Sequence, residues 1–237
     1  MSDAQDHRPR FFSTFDEAWQ VFLDRPSIVG IEQQREGFLR GRAQFLAVQV
    51  TVAEMPIAGD IEEVGDELSD IDGLIMMPPE LLHMSIRGVG FQVIAAAQPG
   101  DVLRKEVPRI GERVARALRG VKSIPIEVGP VNVFPDALIL EVRPVEELRA
   151  LLRAVHEAIG GEDAFPYGIE RYLPHITVAT FRDRGVLPAL RRRLPALRER
   201  PRVADVIRHL DYARWWFTGH DAAAAPELDI VRSYRLK

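Results

Sequence analysis

Leu82-His83-Met84-Ser85-Ile86 and Pro174-His175-Ile176-Thr177-Val178 are two short stretches written to one pattern. Each sets a histidine two positions before a hydroxyl residue, with apolar residues between and after. On a β-strand successive side chains point to opposite faces. His83 and Ser85 then share one face, and Met84 and Ile86 the other. In the second copy His175, Thr177 and Ala179 oppose Ile176 and Val178. Each strand lays an apolar face on a core and shows an imidazole and a hydroxyl, about 7 Å apart, to a cleft. Two such strands side by side place two histidines and two hydroxyls around one small anionic group.

The sequence around them supports this reading. Before the first copy, Gln44 to Val52 is rich in β-branched and aromatic residues and reads as a strand. After it, Arg104 to Arg119 has an apolar helical stripe, with Pro108 in its first turns. Strands at Ile124–Val133 and Ala137–Val142 follow, joined by Phe134-Pro135-Asp136. A Leu-rich helix then runs from Val145 to Ile159 and stops at Gly160-Gly161. Beyond the second copy lie an Arg-rich helix at Leu187–Arg198 and strand-like segments at Val203–Leu210, Tyr212–Thr218 and Leu228–Arg235. The order strand, helical segment, histidine strand, helix, strand occurs twice, so the chain reads as a duplicated unit with the histidines meeting across a pseudo-twofold axis.

Composition limits what such a protein does. The 237 residues are 46% hydrophobic and 28% charged, enough for a real core. A formal net charge of −4 argues against a binder that grips long nucleic-acid backbones by charge alone. The absence of cysteine excludes disulfides and thiolate zinc sites. No apolar signal core and no long apolar run stands out, so the expected location is the cytoplasm, with no membrane. Residues 1–42 read as a helical extension. Ser13 or Thr14 caps a helix from Phe15 to Leu23, and Glu17 is placed for a capping box. The stripe Phe15, Trp19, Phe22, Leu23 docks on the body of the protein, the alternative being a lid over the cleft. Residues 43–237 form the main domain. Its acidic segment from Asp60 to Asp72 lacks calcium-loop spacing and reads as a solvated face.

The pair His83-Met84-Ser85 and His175-Ile176-Thr177 resembles the two His-x-Ser/Thr signatures of the 2H phosphoesterase superfamily. That superfamily includes the 2′-5′ RNA ligase-like proteins and the RNA 2′,3′-cyclic phosphodiesterases. The run Val133 to Val142, followed by Pro144 and a Leu-rich helix, is similar to the middle region of that family. The resemblance covers roughly residues 43–237. It implies an α+β, bilobed, duplicated fold of two mostly antiparallel sheets lining a central cleft, with helices outside. It also implies metal-independent, cofactor-free chemistry by a monomer on a cyclic or 2′-5′ phosphodiester in RNA ends or nucleotides. His83 and His175 would be the acid/base pair and Ser85 and Thr177 the phosphate-binding hydroxyls. The family often has an arginine near Thr180; here Arg182 stands two positions further on.

Other residues carry two readings each. Arg87, placed by alternation on the His83 face, contacts phosphate or is a solvated strand end. Phe134, Tyr167 and Tyr172 stack on a base or pack in the core. The arginines of Leu187–Arg198 make a solvated helix in preference to an RNA-binding patch. One of Trp215 and Trp216 faces inward. Two histidines are too few for zinc, and Ser85 lacks the glycine elbow of a serine hydrolase. The rival function is a noncatalytic nucleotide-binding module using the same cleft.

Overall fold

The computed structural model describes residues 12–160, 168–218 and 221–237. In chain order the elements are α1 (Phe15–Asp24), α2 (Ile31–Leu39), β1 (Gln44–Thr51), α3 (Ala58–Asp66), β2 (Leu74–Met76), β3 (His83–Val93), β4 (Asp101–Leu103), α4 (Val107–Ala117), β5 (Ile124–Val133) and β6 (Ala137–Arg143). They continue with α5 (Val145–Ile159), β7 (His175–Phe181), α6 (Leu187–Arg198), β8 (Val203–Ile207), β9 (His209–Trp216) and β10 (Glu227–Arg235).

Two five-stranded sheets result, in the orders β10-β9-β1-β3-β4 and β2-β7-β6-β5-β8, called here the first and second sheets. All pairings are antiparallel except β3 with β4. This is the expected α+β arrangement, with each histidine strand second from the edge of its own sheet. The linear repeat is not one sheet per half, however. β9 and β10, from the end of the chain, complete the first sheet, while β2, from its first half, edges the second. The break between β8 and β9 falls at Arg208, so these two consecutive strands enter different sheets.

Helices α4 and α5 cover the faces that carry Met84, Ile86, Ile176 and Val178. Val107, Ile110 and Val114 of α4 are buried, as are Leu148, Leu151, Leu152 and Val155 of α5. These residues join both sheets in one continuous apolar core. Removal of that surface from water, at about 25 cal/mol per Å², is the main force holding the lobes together.

The extension contains two helices. Thr14 Oγ1 accepts from the Glu17 N–H at 3.1 Å, and Glu17 Oε2 accepts from the Ser13 N–H at 2.7 Å, which starts α1 where the sequence indicates. Its placement combines the two sequence readings. Phe12, Phe15 and Ala18 pack on Ala137 and Ile139. Those residues lie directly opposite Thr180 and Thr177 and so on the histidine face of the second sheet. Phe38 of α2 packs on Phe45, Ala47, Phe91 and Trp215, on the histidine face of the first. Residues 12–42 thus form a strap lying on the cleft-facing sides of both sheets.

The acidic segment and the Arg-rich helix are partners. Arg193 bonds Asp70 and the Glu67 carbonyl, and Arg200 bonds Glu67. Arg191 donates to Leu23 O at 2.6 Å. These guanidiniums are engaged with the protein's own surface instead of being left to solvent as the sequence reading expects. Among the described residues no three His, Cys, Asp or Glu side chains are grouped to hold a metal ion. No helix there is long and apolar enough to cross a membrane.

Candidate active site

Each histidine opens its strand, and each ring is locked by the same device. His83 Nδ1 lies 2.9 Å from Leu81 O, and His175 Nδ1 lies 2.7 Å from Leu173 O. A carbonyl only accepts, so Nδ1 carries the proton in both rings and Nε2 is left for chemistry. Ser85 and Thr177 are half-buried on the same strands, as are both histidines.

The short link Met77–Leu82 brings the two together. β2 pairs with β7 in the second sheet, the Met77 N–H donates to Val178 O at 2.8 Å, and the chain then enters β3 of the first sheet at His83. Tyr172 closes the floor, its hydroxyl donating to Ser85 O at 2.7 Å. The imidazoles are close enough to feel one another's charge. Burial pushes His83 down to about 4 against the opposing effect of the Leu81 carbonyl, and a charge on His175 lowers it further. Burial also lowers His175, opposed by the Leu173 carbonyl and by the carboxylate of Asp136. Asp136 itself is raised by burial, with His175 and Gln34 pulling the other way.

Both histidine strands carry a β-bulge three residues after the histidine. In the pairing of β1 with β3, Val48 opposes Arg87 and Gln49 opposes Ser85, leaving Ile86 as the extra residue. In that of β6 with β7, Leu138 opposes Ala179 and Ile139 opposes Thr177, leaving Val178 extra. A bulge shifts the phase of alternation. Arg87 therefore does not join His83 and Ser85. It shares the face of the core residue Val48, is fully buried, and bonds the Gly88 carbonyl. The phosphate role for Arg87 is corrected accordingly. Ala179 likewise joins the core and leaves the histidine face to Thr180.

The remaining candidates divide. Phe134 is half-buried with its ring edge-on to His175, centroids 4.9 Å apart, so it forms a wall of the cleft. Tyr172 is 7% exposed and bonded to Ser85 O, which leaves no open ring face for a base; its role is to tie the lobes together. Arg182 lies beyond the end of β7, exposed, with its N–H donated to Gly73 O. Tyr167 lies outside the described residues.

Several further residues at the site were not assigned to it from the sequence. Trp215, the inward member of its pair, lies with its ring tilted against that of His83, centroids 4.6 Å apart, and donates Nε1–H to Gln49 Oε1 at 2.9 Å. Gln49 lies opposite Ser85 and is fully buried, and its Nε2 has no hydrogen-bond partner among the described residues. Thr51, opposite His83, donates to Asp211 Oδ2 at 2.6 Å, and Ser233 donates to the other oxygen. In the second sheet Glu141, opposite His175, accepts from Asn132 and Arg198, each at 2.8 Å. Sequence signals existed only as polar residues at alternate positions of apolar strands.

A family model described as the 2′-5′ RNA ligase superfamily matches residues 78–215, a span that contains both histidine strands. No curated protein sequence matches the chain. TT0787 of Thermus thermophilus is similar in structure, with a TM-score of 0.59 at 16% identity, over 81% of this chain and 97% of that one. Apo LigT of E. coli gives 0.56 at 11% identity, over 82% and 98%. LigT complexed with 3′-AMP gives 0.57 at 12% identity, over 82% and 99%. At these identities the likeness speaks for the fold, while the family match spans more than half of the chain and includes both signatures. The chain belongs to the 2′-5′ RNA ligase superfamily, within the 2H phosphoesterases that its paired His-x-Ser/Thr strands indicate.

Proposed function

We propose that the protein is a metal-independent phosphodiesterase opening a 2′,3′-cyclic or 2′-5′ phosphodiester in RNA ends or nucleotides, as a cytoplasmic monomer. The observation that carries this reading is the matched pair of half-buried, Nδ1-locked imidazoles, each with a hydroxyl two residues on, on strands tied together by the Tyr172 hydroxyl and Ser85 O. One imidazole takes a proton from water as its oxygen bonds phosphorus. The P–O bond to a ribose oxygen breaks, and the other imidazole gives that oxygen its proton. When a 5′-hydroxyl takes the place of water and attacks a 2′,3′-cyclic phosphate, the P–O bond to the 3′-oxygen breaks, the second imidazole protonates that oxygen, and the product is a 2′-5′ linkage. Ser85 and Thr177 donate to the non-bridging oxygens, where charge grows in the transition state. Phe134 is the surface for a base, and Gln49 Nε2 is a further donor. LigT complexed with 3′-AMP and with ATP supports nucleotides as the ligand class.

Nucleoside 2′,3′-cyclic phosphates and 2′-5′ dinucleotides, incubated with the protein in chelator, test the assignment directly. Turnover without added metal is expected, and silence on the whole panel sinks it. Ser85→Ala and Thr177→Val are each expected to lower kcat about 10²-fold with a smaller change in KM, since each removes a donor that matters most in the transition state. Because burial holds both histidines below their ordinary 6.5, the bell of kcat/KM against pH lies on the acid side of 6.5, rising near pH 4.

A further inference from the structure

The solved relatives are matched over 97% to 99% of their length but cover only 81% to 82% of this chain. The family match begins at residue 78, so the strap of residues 12–42 lies outside it. A strand bound with its phosphorus between His83 and His175 would lay its neighbouring nucleotides along the rest of the histidine-side surface. In the second sheet that surface is β6 and β5, and α1 lies on it. Phe15 and Ala18 pack on Ala137 and Ile139. Asn132, opposite Ile139 on β5, donates Nδ2–H to Phe15 O at 2.9 Å. In the first sheet the surface is the end of β1 and β3 away from His83. There the Phe38 ring of α2 meets those of Phe45 and Phe91, with centroids 4.7 and 5.0 Å apart. Phe134, the surface left for a base, has the His175 ring 4.9 Å away and that of Phe12 5.9 Å away, so the strap bounds it too.

Resting on the proposed function, we propose that the strap is a size selector. It takes the place of the neighbouring nucleotides, so the site accepts a phosphodiester of mononucleotide or dinucleotide size and rejects one embedded in a longer RNA strand. Selection of this kind works by exclusion, not by added attraction. The strap is fixed along its length. The Val29 N–H donates to Pro135 O at 2.7 Å, and Gln34 Nε2 donates to Asp136 Oδ2 at 3.1 Å. Gly30 comes so close to the end of β7 that a Cβ on it would lie 2.5 Å from Arg182 O. Arg35 donates to Asp221 O at 2.6 Å, and Arg42 bonds Asp101 at 3.1 Å with its guanidinium over the Phe91 ring. Contacts to both sheets make it a wall. Charge points the same way. The guanidiniums of Arg35 and Arg42 on the strap, and of Arg198 beside it, are engaged with the protein's own oxygens. The chain as a whole carries −4, whereas a long phosphate backbone is gripped by unmatched cations.

Adenosine 2′,3′-cyclic phosphate and an oligoadenylate ending in the same cyclic phosphate share one reacting group and differ in length. The wild-type chain is expected to favour the first by about tenfold or more in kcat/KM. Gly30→Ala suits the extended backbone there (φ −70°, ψ 151°) but sets a methyl against Arg182 O. That lifts the strap while both histidines and both hydroxyls stay in place. It is expected to narrow the preference severalfold, and Phe38→Ala does the same from the first sheet. Should Gly30→Ala not fold, Phe38→Ala and Gln34→Ala carry the comparison. Equal kcat/KM on the two substrates in the wild type, or a preference left unchanged by these variants, overturns the proposal. Calorimetry with 3′-AMP and with an oligoadenylate bearing a 3′-phosphate separates the selector from the function. If no phosphodiester turns over and 3′-AMP still binds about tenfold more tightly, the function falls and the selector stands. No turnover with equal binding of the two overturns both.

Discussion

Replacing either His83 or His175 with alanine is expected to lower kcat by about 10²- to 10⁴-fold, the usual contribution of a positioned acid or base. KM is expected to change much less, because the hydroxyls, Phe134 and the cleft walls still hold the ground state. Both rings are half-buried at the cleft and neither belongs to the apolar core. Each truncation leaves one strand-end carbonyl, Leu81 O or Leu173 O, without its ring donor. Water can reach those positions, so the stability change is expected to stay near 1 kcal/mol. The double variant is expected to lose little more than the worse single one, since acid and base act as a unit in one displacement. Circular dichroism and steady-state kinetics on a cyclic phosphate check both halves. Full activity in either single variant, with the fold intact, would remove the two-histidine mechanism. Nucleotide binding that survives in the double variant, with no turnover even in the wild type, would favour the noncatalytic module.

The largest stability effect is expected at Arg198. Glu141 is 1% exposed and directly opposite His175, and its carboxylate is satisfied by Asn132 and by the Arg198 guanidinium. Arg198 also donates to Val131 O at 2.8 Å and lies over the Trp19 ring at 4.6 Å, so it joins α6, β5 and α1. Arg198→Ala leaves a carboxylate in the interior with only the Asn132 amide bonded to it and Arg143 3.6 Å away. That class of change costs about 3 to 5 kcal/mol. For a chain of this size, thermal unfolding is expected to fall by roughly 10 °C. Combining it with Glu141→Gln is expected to recover part of the loss, because a neutral amide is cheaper to leave half-satisfied than a charge. A melting temperature within a degree or two of wild type would mean that water already screens the pair.

Much of this was legible in the sequence. Local chemistry announced itself: the Thr14–Glu17 start of α1, the stripe of α5 ending at Gly160, and α4 opening on Val107-Pro108. The repeated histidine–hydroxyl pattern stood out as well. Two readings failed for one physical reason. Alternation put Arg87 with His83 and Ala179 with His175, yet a bulge at Ile86 and another at Val178 rephases each strand. Both extra residues are apolar whichever way they face, so nothing in the local pattern marks them. β3 runs on through Gly88 and Gly90 to Val93. Gly90 has φ 139°, and a Cβ there would meet Gly100 O at 2.3 Å, so this glycine admits the close approach of the chain entering β4.

By itself the sequence determined the paired motif, the family and the longer helices and strands, though not α2, β2 or β4. Each depends on spacing within a few residues, and that survives any arrangement in space. Tertiary structure decided which strands share a sheet, that the extension lies on both histidine faces, and that Trp215, Gln49 and Asp136 reach the site. Those contacts join residues far apart in the chain, and they exist only once burial of the common core has brought the two sheets together.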